Sequence, residues 1–87
     1  MREEVDLVDV FCRIRDSRTM LLFFREIFTE AERKDLALRW KLMKLLKKGM
    51  TQRKIASELG ISLCKITRGA KIVHNSKSIT NQMLNTD

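Results

Sequence analysis

No proline interrupts this chain of 87 residues, and its three glycines stand at positions 49, 60 and 69. Strand-rich folds need turn residues at short intervals, and the first glycine comes only after more than half the chain. Apolar side chains recur three and four residues apart, with little alternation, which predicts helices. The expected class is all-α: a small helical domain, residues 1–87, of about six helices with short connections.

A chain of this length buries only a modest fraction of its surface, so added support is expected from a disulfide, a metal or a partner subunit. Cys12 and Cys64 are far apart, and no secretory signal precedes them. His74 is the single histidine, and no paired cysteine spacing exists, so a zinc site is not expected. A partner subunit remains the expected support. No apolar run approaches the ~20 residues of a membrane span. The composition therefore predicts a reduced, soluble, cytoplasmic protein without metal or cofactor.

Charge divides the chain. Residues 1–35 carry 7 basic and 9 acidic side chains, whereas residues 36–87 carry 11 basic and 2 acidic ones. A basic half attracts polyanions, because neutralising phosphates releases counterions. A solvated basic face kept for solubility is the plainer alternative.

Residues 1–48 read as N-terminal dimerisation helices. A first helix is predicted over about Glu3–Ile14, where Val5, Leu7, Val8, Phe11, Cys12 and Ile14 form an apolar stripe. Asp16-Ser17 predicts a break. The next helix, about Arg18–Ile27, holds Met20, Leu21, Leu22, Phe23 and Phe24, apolar on more than one face. Such a helix is buried in one core or between chains, and burial between chains is expected here. Thr29-Glu30-Ala31-Glu32 is a capping box that opens a third helix. Leu38, Leu42 and Leu45 form its stripe, with Leu46 beside it, and lysines crowd the other faces. Gly49 follows a lysine-rich last turn and marks its end. Trp40 is expected to be a packed helix residue.

The segment 49–71 carries the functional signal. Thr51 is a fitting N-cap for a helix over Gln52–Leu59. Ile55 and Leu59 share a face, and Ala56 is small enough for a close helix crossing. Gly60 suits a left-handed turn, Ile61 can plug the angle, and Ser62 caps the next helix. Leu63 and Ile66 are expected to point back to the core. This set of positions is a helix-turn-helix pattern, with an αα-hairpin of no such function as the alternative.

In a helix-turn-helix the second helix lies in the major groove with its first turn nearest the base edges. Leu63, Cys64, Lys65, Thr67 and Lys71 are the candidate exposed residues there, and Ser62, Lys65 and Thr67 can bond to phosphates or bases. Cys64 reads equally as a close-approach contact or a small core filler. Gln52 and Arg53 open the preceding helix and can reach phosphate or a guanine edge, while Lys54 suits phosphate or solvent.

Gly49-Met50-Thr51-Gln52-Arg53, Glu58-Leu59-Gly60 and Ile66-Thr67-Arg68-Gly69 together resemble the bacterial Trp repressor family, most densely over about residues 29–70. The resemblance implies an intertwined homodimer, L-tryptophan as corepressor ligand and a double-stranded operator of two half-sites. It implies that Arg39 and Arg68 enclose the indole, that Gly69 leaves space beside it, and that Arg68 binds the ligand carboxylate. Guanidinium planes suit both tasks. It further implies that backbone carbonyls near Glu26, Phe28 and Thr29 of the second subunit hold the ligand ammonium. For Arg39 a phosphate contact or a solvated charge is the alternative.

The sequence departs from that family in three places. Ile72 stands where a serine commonly lines the pocket, and Ala56 and Ser57 replace a basic side chain on the first motif helix. The N-terminal and C-terminal arms are short, residues 72–87 reading as a short C-terminal helix or tail whose end is weakly apolar, with Ile79, Met83 and Leu84 only, which predicts a smaller dimer interface. Two other readings stay open: a helix-turn-helix module with no small-molecule effector, and a helical interaction protein that does not touch DNA. No nucleophile triad, metal set or phosphate loop favours an enzyme.

Overall fold

Local hydrogen bonds set where the helices begin and end. The computed structural model describes residues 2–85. Among them are six helices and no strand: α1 (Arg2–Arg13), α2 (Ser17–Ile27), α3 (Glu30–Lys47), α4 (Gln52–Leu59), α5 (Leu63–Val73) and α6 (Ile79–Leu84). The all-α expectation and the number of helices hold. The bounds shift by one residue at the N-terminus, where α1 ends at Arg13 and α2 begins at Ser17.

Asp16, at the predicted break, is the N-cap of α2, and its carboxylate accepts the Thr19 amide at 2.8 Å. At the start of α3 the Thr29 amide donates to Glu32 Oε1 at 2.9 Å. In return the Glu32 amide donates to Thr29 Oγ1 at 3.2 Å, completing the reciprocal capping box. Both carboxylates are held below their ordinary values. The cause in each case is first the amide bond from the capped threonine and then its hydroxyl. At the far end of α3, Gly49 donates to the Leu46 carbonyl and Met50 to that of Leu45. These two bonds form a Schellman closure that satisfies carbonyls the helix leaves unpaired.

Contacts group the chain into two units, Met1–Lys34 and Asp35–Asp87. In the first, no residue of α1 or α2 is buried. Phe11 meets Phe23 edge-on at 5.3 Å between ring centroids and stacks on Phe28 at 6.4 Å, while Phe24 tilts against Phe28 at 4.8 Å. These rings leave Val5, Val8, Leu21, Leu22 and Ile27 between 46% and 60% exposed. The single chain does not cover the apolar faces that the sequence makes. Arg33 closes the end of α2 by donating Nη1 to the Phe28 carbonyl at 2.7 Å and to that of Arg25 at 3.0 Å.

The second unit holds the core: Leu42, Leu46, Ile55, Ile66, Ala70, Val73 and Leu84. Leu42, Ile55 and Ile66 are the most deeply enclosed large side chains. Full burial of such a side chain stabilises by about 1.5–3 kcal/mol, so these three positions set the packing of α3, α4 and α5. Two expectations about packing are corrected. Leu63 does not point back to the core but outward, in keeping with its other reading as an exposed residue, because it sits in the first turn of α5, ahead of the stretch that packs against the core. Trp40 is exposed, on the side of α3 away from Leu42. Asn81, buried on α6, accepts the Lys47 ammonium at 2.7 Å and donates to the Asn75 carbonyl, so its amide is satisfied.

Candidate functional site

Thr51 Oγ1 accepts the Lys54 amide at 3.2 Å and starts α4. Three residues separate α4 from α5. Gly60 closes α4 in the left-handed region, at φ 63° and ψ 37°, where a side chain is strained. Ile61 is half-buried, packed against the core. Ser62 Oγ accepts the Lys65 amide at 3.4 Å and starts α5. The predicted capping, turn and packing roles of Thr51, Gly60, Ile61 and Ser62 are present.

One face of α5 lies open. Leu63, Cys64, Thr67, Arg68 and Lys71 line a depression of about 370 Å³ along it, and their three- and four-residue spacing puts them on one side of the helix. Cys64 is exposed, so of its two readings the core filler is excluded. Thr67 donates its hydroxyl back to the Leu63 carbonyl at 2.9 Å, which leaves its oxygen as an acceptor. Gln52, Arg53 and Lys54 are exposed on the first turn of α4. Lys65 does not line that depression: its ammonium bonds Asp35 Oδ1 at 3.3 Å, on α3.

Toward α3, a cavity of about 340 Å³ is lined by Arg39, Leu42 and Met43 of α3 and by Lys65, Arg68, Gly69 and Ile72 of α5. That volume falls within the roughly 300–1,000 Å³ of small-molecule sites. Gly69 is why the two helices come so close. A Cβ there would lie 2.5 Å from Leu42 Cδ1 and 3.4 Å from Met43 Cγ. Leu42, Met43 and Ile72 give the cavity apolar walls, and Arg39, Lys65 and Arg68 supply three cations. Such a lining suits a flat apolar body with an anionic end, since guanidinium planes stack on rings and fork onto carboxylates. Arg39 is further oriented by Asp35, whose Oδ2 accepts its Nη2 at 3.0 Å.

Arg39, Arg68, Gly69 and Ile72 are thus brought to one cavity, while Glu26, Phe28 and Thr29 belong to the other unit. The Phe28 carbonyl already accepts Arg33 Nη1, and that of Thr29 accepts the Arg33 amide at 2.9 Å. Each carbonyl keeps a second lone pair for another donor. The sequence reading missed Asp35. Its four-residue spacing from Arg39 was the available signal, but its partnership with Lys65, thirty residues on, leaves no local trace.

A wider depression of about 660 Å³ along α1 is lined by Asp6, Asp9, Val10, Cys12, Arg13 and Arg15. Asp6, Asp9 and Arg13 are exposed residues of α1, and Arg15 follows its end.

Two capped helices meeting at a left-handed glycine, the second with an uncovered face, fit a transcription regulator of the helix-turn-helix class. The relationship is closer than the class. Over residues 5–87 the sequence matches the family described as Trp repressor protein, and the chain belongs to that family of transcriptional repressors. It is 38% identical over 65 residues to a Trp operon repressor homolog of Xylella fastidiosa, across 74% of this chain and 71% of that protein. It is 44% identical over 46 residues to a Trp operon repressor homolog of Chlamydia trachomatis, across 52% of this chain and 49% of the relative. No solved structure matches the chain with comparable significance. Among the described residues, no helix is long and apolar enough to cross a membrane.

Proposed function

We propose that the chain is a transcriptional repressor that binds a palindromic operator as a homodimer when L-tryptophan occupies the cavity between α3 and α5. Arg68 is the observation that carries this reading, because its side chain lines both the outer face of α5 and the cavity behind it. A ligand held there touches the helix that meets DNA.

In this mechanism the indole lies between the Arg39 and Arg68 guanidinium groups, against Leu42, Met43 and Ile72. Its carboxylate pairs with Arg68. Carbonyls near Glu26, Phe28 and Thr29 of the second subunit take the ammonium, at the negative end of a helix. Leu63, Cys64, Thr67 and Lys71 face base edges, and Ser62, Gln52 and Arg53 reach phosphates or bases at the rim. The two reading helices of a dimer then meet successive major grooves about 34 Å apart. Tryptophan acts only through its preference for the competent arrangement.

Calorimetry with L-tryptophan, together with gel shifts on duplex DNA with and without it, tests this reading. Saturable binding and a tighter shift with ligand support it. DNA binding that is indifferent to tryptophan would leave a helix-turn-helix module without an effector.

A further inference from the structure

Asp35 stands where the basic unit begins. Within Asp35–Asp87, the acidic side chains among the described residues are Asp35 and Glu58, against eleven lysines and arginines. Both oxygens of Asp35 are used. Oδ2 accepts Arg39 Nη2 at 3.0 Å, and Oδ1 accepts Lys65 Nζ at 3.3 Å. Lys65 belongs to the first turn of α5, directly after Cys64 on the open face, and its side chain is 52% exposed.

We propose that Asp35 is an internal competitor for DNA: it holds the Lys65 ammonium against α3 and withholds it from the phosphate backbone. A lysine carries its charge on a flexible four-carbon stem, so one ammonium can serve the carboxylate or swing to a phosphate. The pair is exposed and therefore weak, which makes the exchange inexpensive. It sets a threshold rather than a block. Because Arg39 and Lys65 also line the cavity, the same carboxylate restrains a cation of the ligand site and one of the DNA-facing helix. This inference rests on the DNA-binding reading above.

The test is fluorescence anisotropy of a mixed-sequence duplex of about 20 base pairs, with excess L-tryptophan present, across a salt series. Four proteins are compared: the natural chain, Asp35→Asn, Lys65→Met and the double variant. Asp35→Asn is expected to bind about two- to five-fold tighter, the scale of one exposed ion pair. It is also expected to steepen the slope of log affinity against log salt by about 0.9, the value of one further phosphate contact. In the Lys65→Met background the same change should give neither effect. A gain of equal size in both backgrounds would mean that Asp35 acts through net charge or through Arg39 and not through Lys65, and would overturn the proposal. So would binding by the natural chain with no gain in Asp35→Asn. If the natural chain binds no duplex at all, the DNA-binding reading fails and the competitor role with it. Matched far-UV circular dichroism of the four proteins shows that loss of helix is not the cause.

Discussion

Arg68 faces two ways, toward the open side of α5 and into the cavity against α3. A lysine there would keep the charge but lose the planar fork and the stacking surface. Arg68→Lys is therefore expected to weaken L-tryptophan binding by about ten-fold or more in calorimetry, with helix content unchanged. Gly69 makes a different kind of contribution. An added methyl group would meet Leu42, which is 2% exposed and can move chiefly into the cavity it lines. Gly69→Ala also gains about 1 kcal/mol of helix propensity, against about 1–3 kcal/mol for overpacking. The expected outcome is a small change in thermal stability with a large loss of tryptophan affinity, read by calorimetry and thermal melting on the same sample.

At the level of elements, helix starts are fixed by side chains three residues from the amides they cap: Asp16 for Thr19, Thr29 for Glu32, Thr51 for Lys54 and Ser62 for Lys65. Two of these starts depend on pH. Asp16 and Glu32 have folded-state values below their ordinary 3.8 and 4.5. Their stabilisation is fully present above those ordinary values and drains as pH falls through the lowered ones. Helix content by circular dichroism should hold near neutral pH and decline in the acid range below about pH 4. Glu32→Gln keeps an acceptor for the Thr29 amide but no longer titrates, so it should lose its share of that decline. This locality also explains what could be read from the sequence. Capping box, glycine turn and serine cap each sit within a few residues, so Thr29, Gly60 and Ser62 announce themselves. Arg39, Arg68 and Gly69 were reached through a family resemblance, and the structure places them around one cavity. Asp35 with Lys65, and Lys47 with Asn81, are contacts across thirty or more residues that no local pattern encodes. Leu63 carries both a core-facing and an exposed reading, of which the exposed one holds, and Trp40 is exposed where packing is expected, because an apolar side chain at helical spacing can face a partner or solvent as well as a core.

For the whole molecule, the two ends differ in what they leave uncovered. The N-terminal unit exposes apolar side chains, among them Val5 at 60% and Leu22 at 57%. The C-terminal unit, of net positive charge, exposes cations, together with apolar side chains such as Leu63 at 52% and Ile79 at 67%. Apolar surface of that kind favours association, and charge of that kind favours phosphate. The proposed homodimer predicts that Leu22→Glu weakens self-association by at least about ten-fold in sedimentation equilibrium, since a carboxylate would have to be desolvated at the interface. A sedimentation profile already monomeric for the natural chain would contradict the dimer. The central claim is that ligand and DNA meet through α5. The most direct measurement selects binding duplexes from a random pool with L-tryptophan present, then determines their affinity with and without it by anisotropy. Palindromic duplexes, bound more tightly when tryptophan is added, are the predicted result. Equal affinity in the two conditions, on the same selected duplexes, would contradict it.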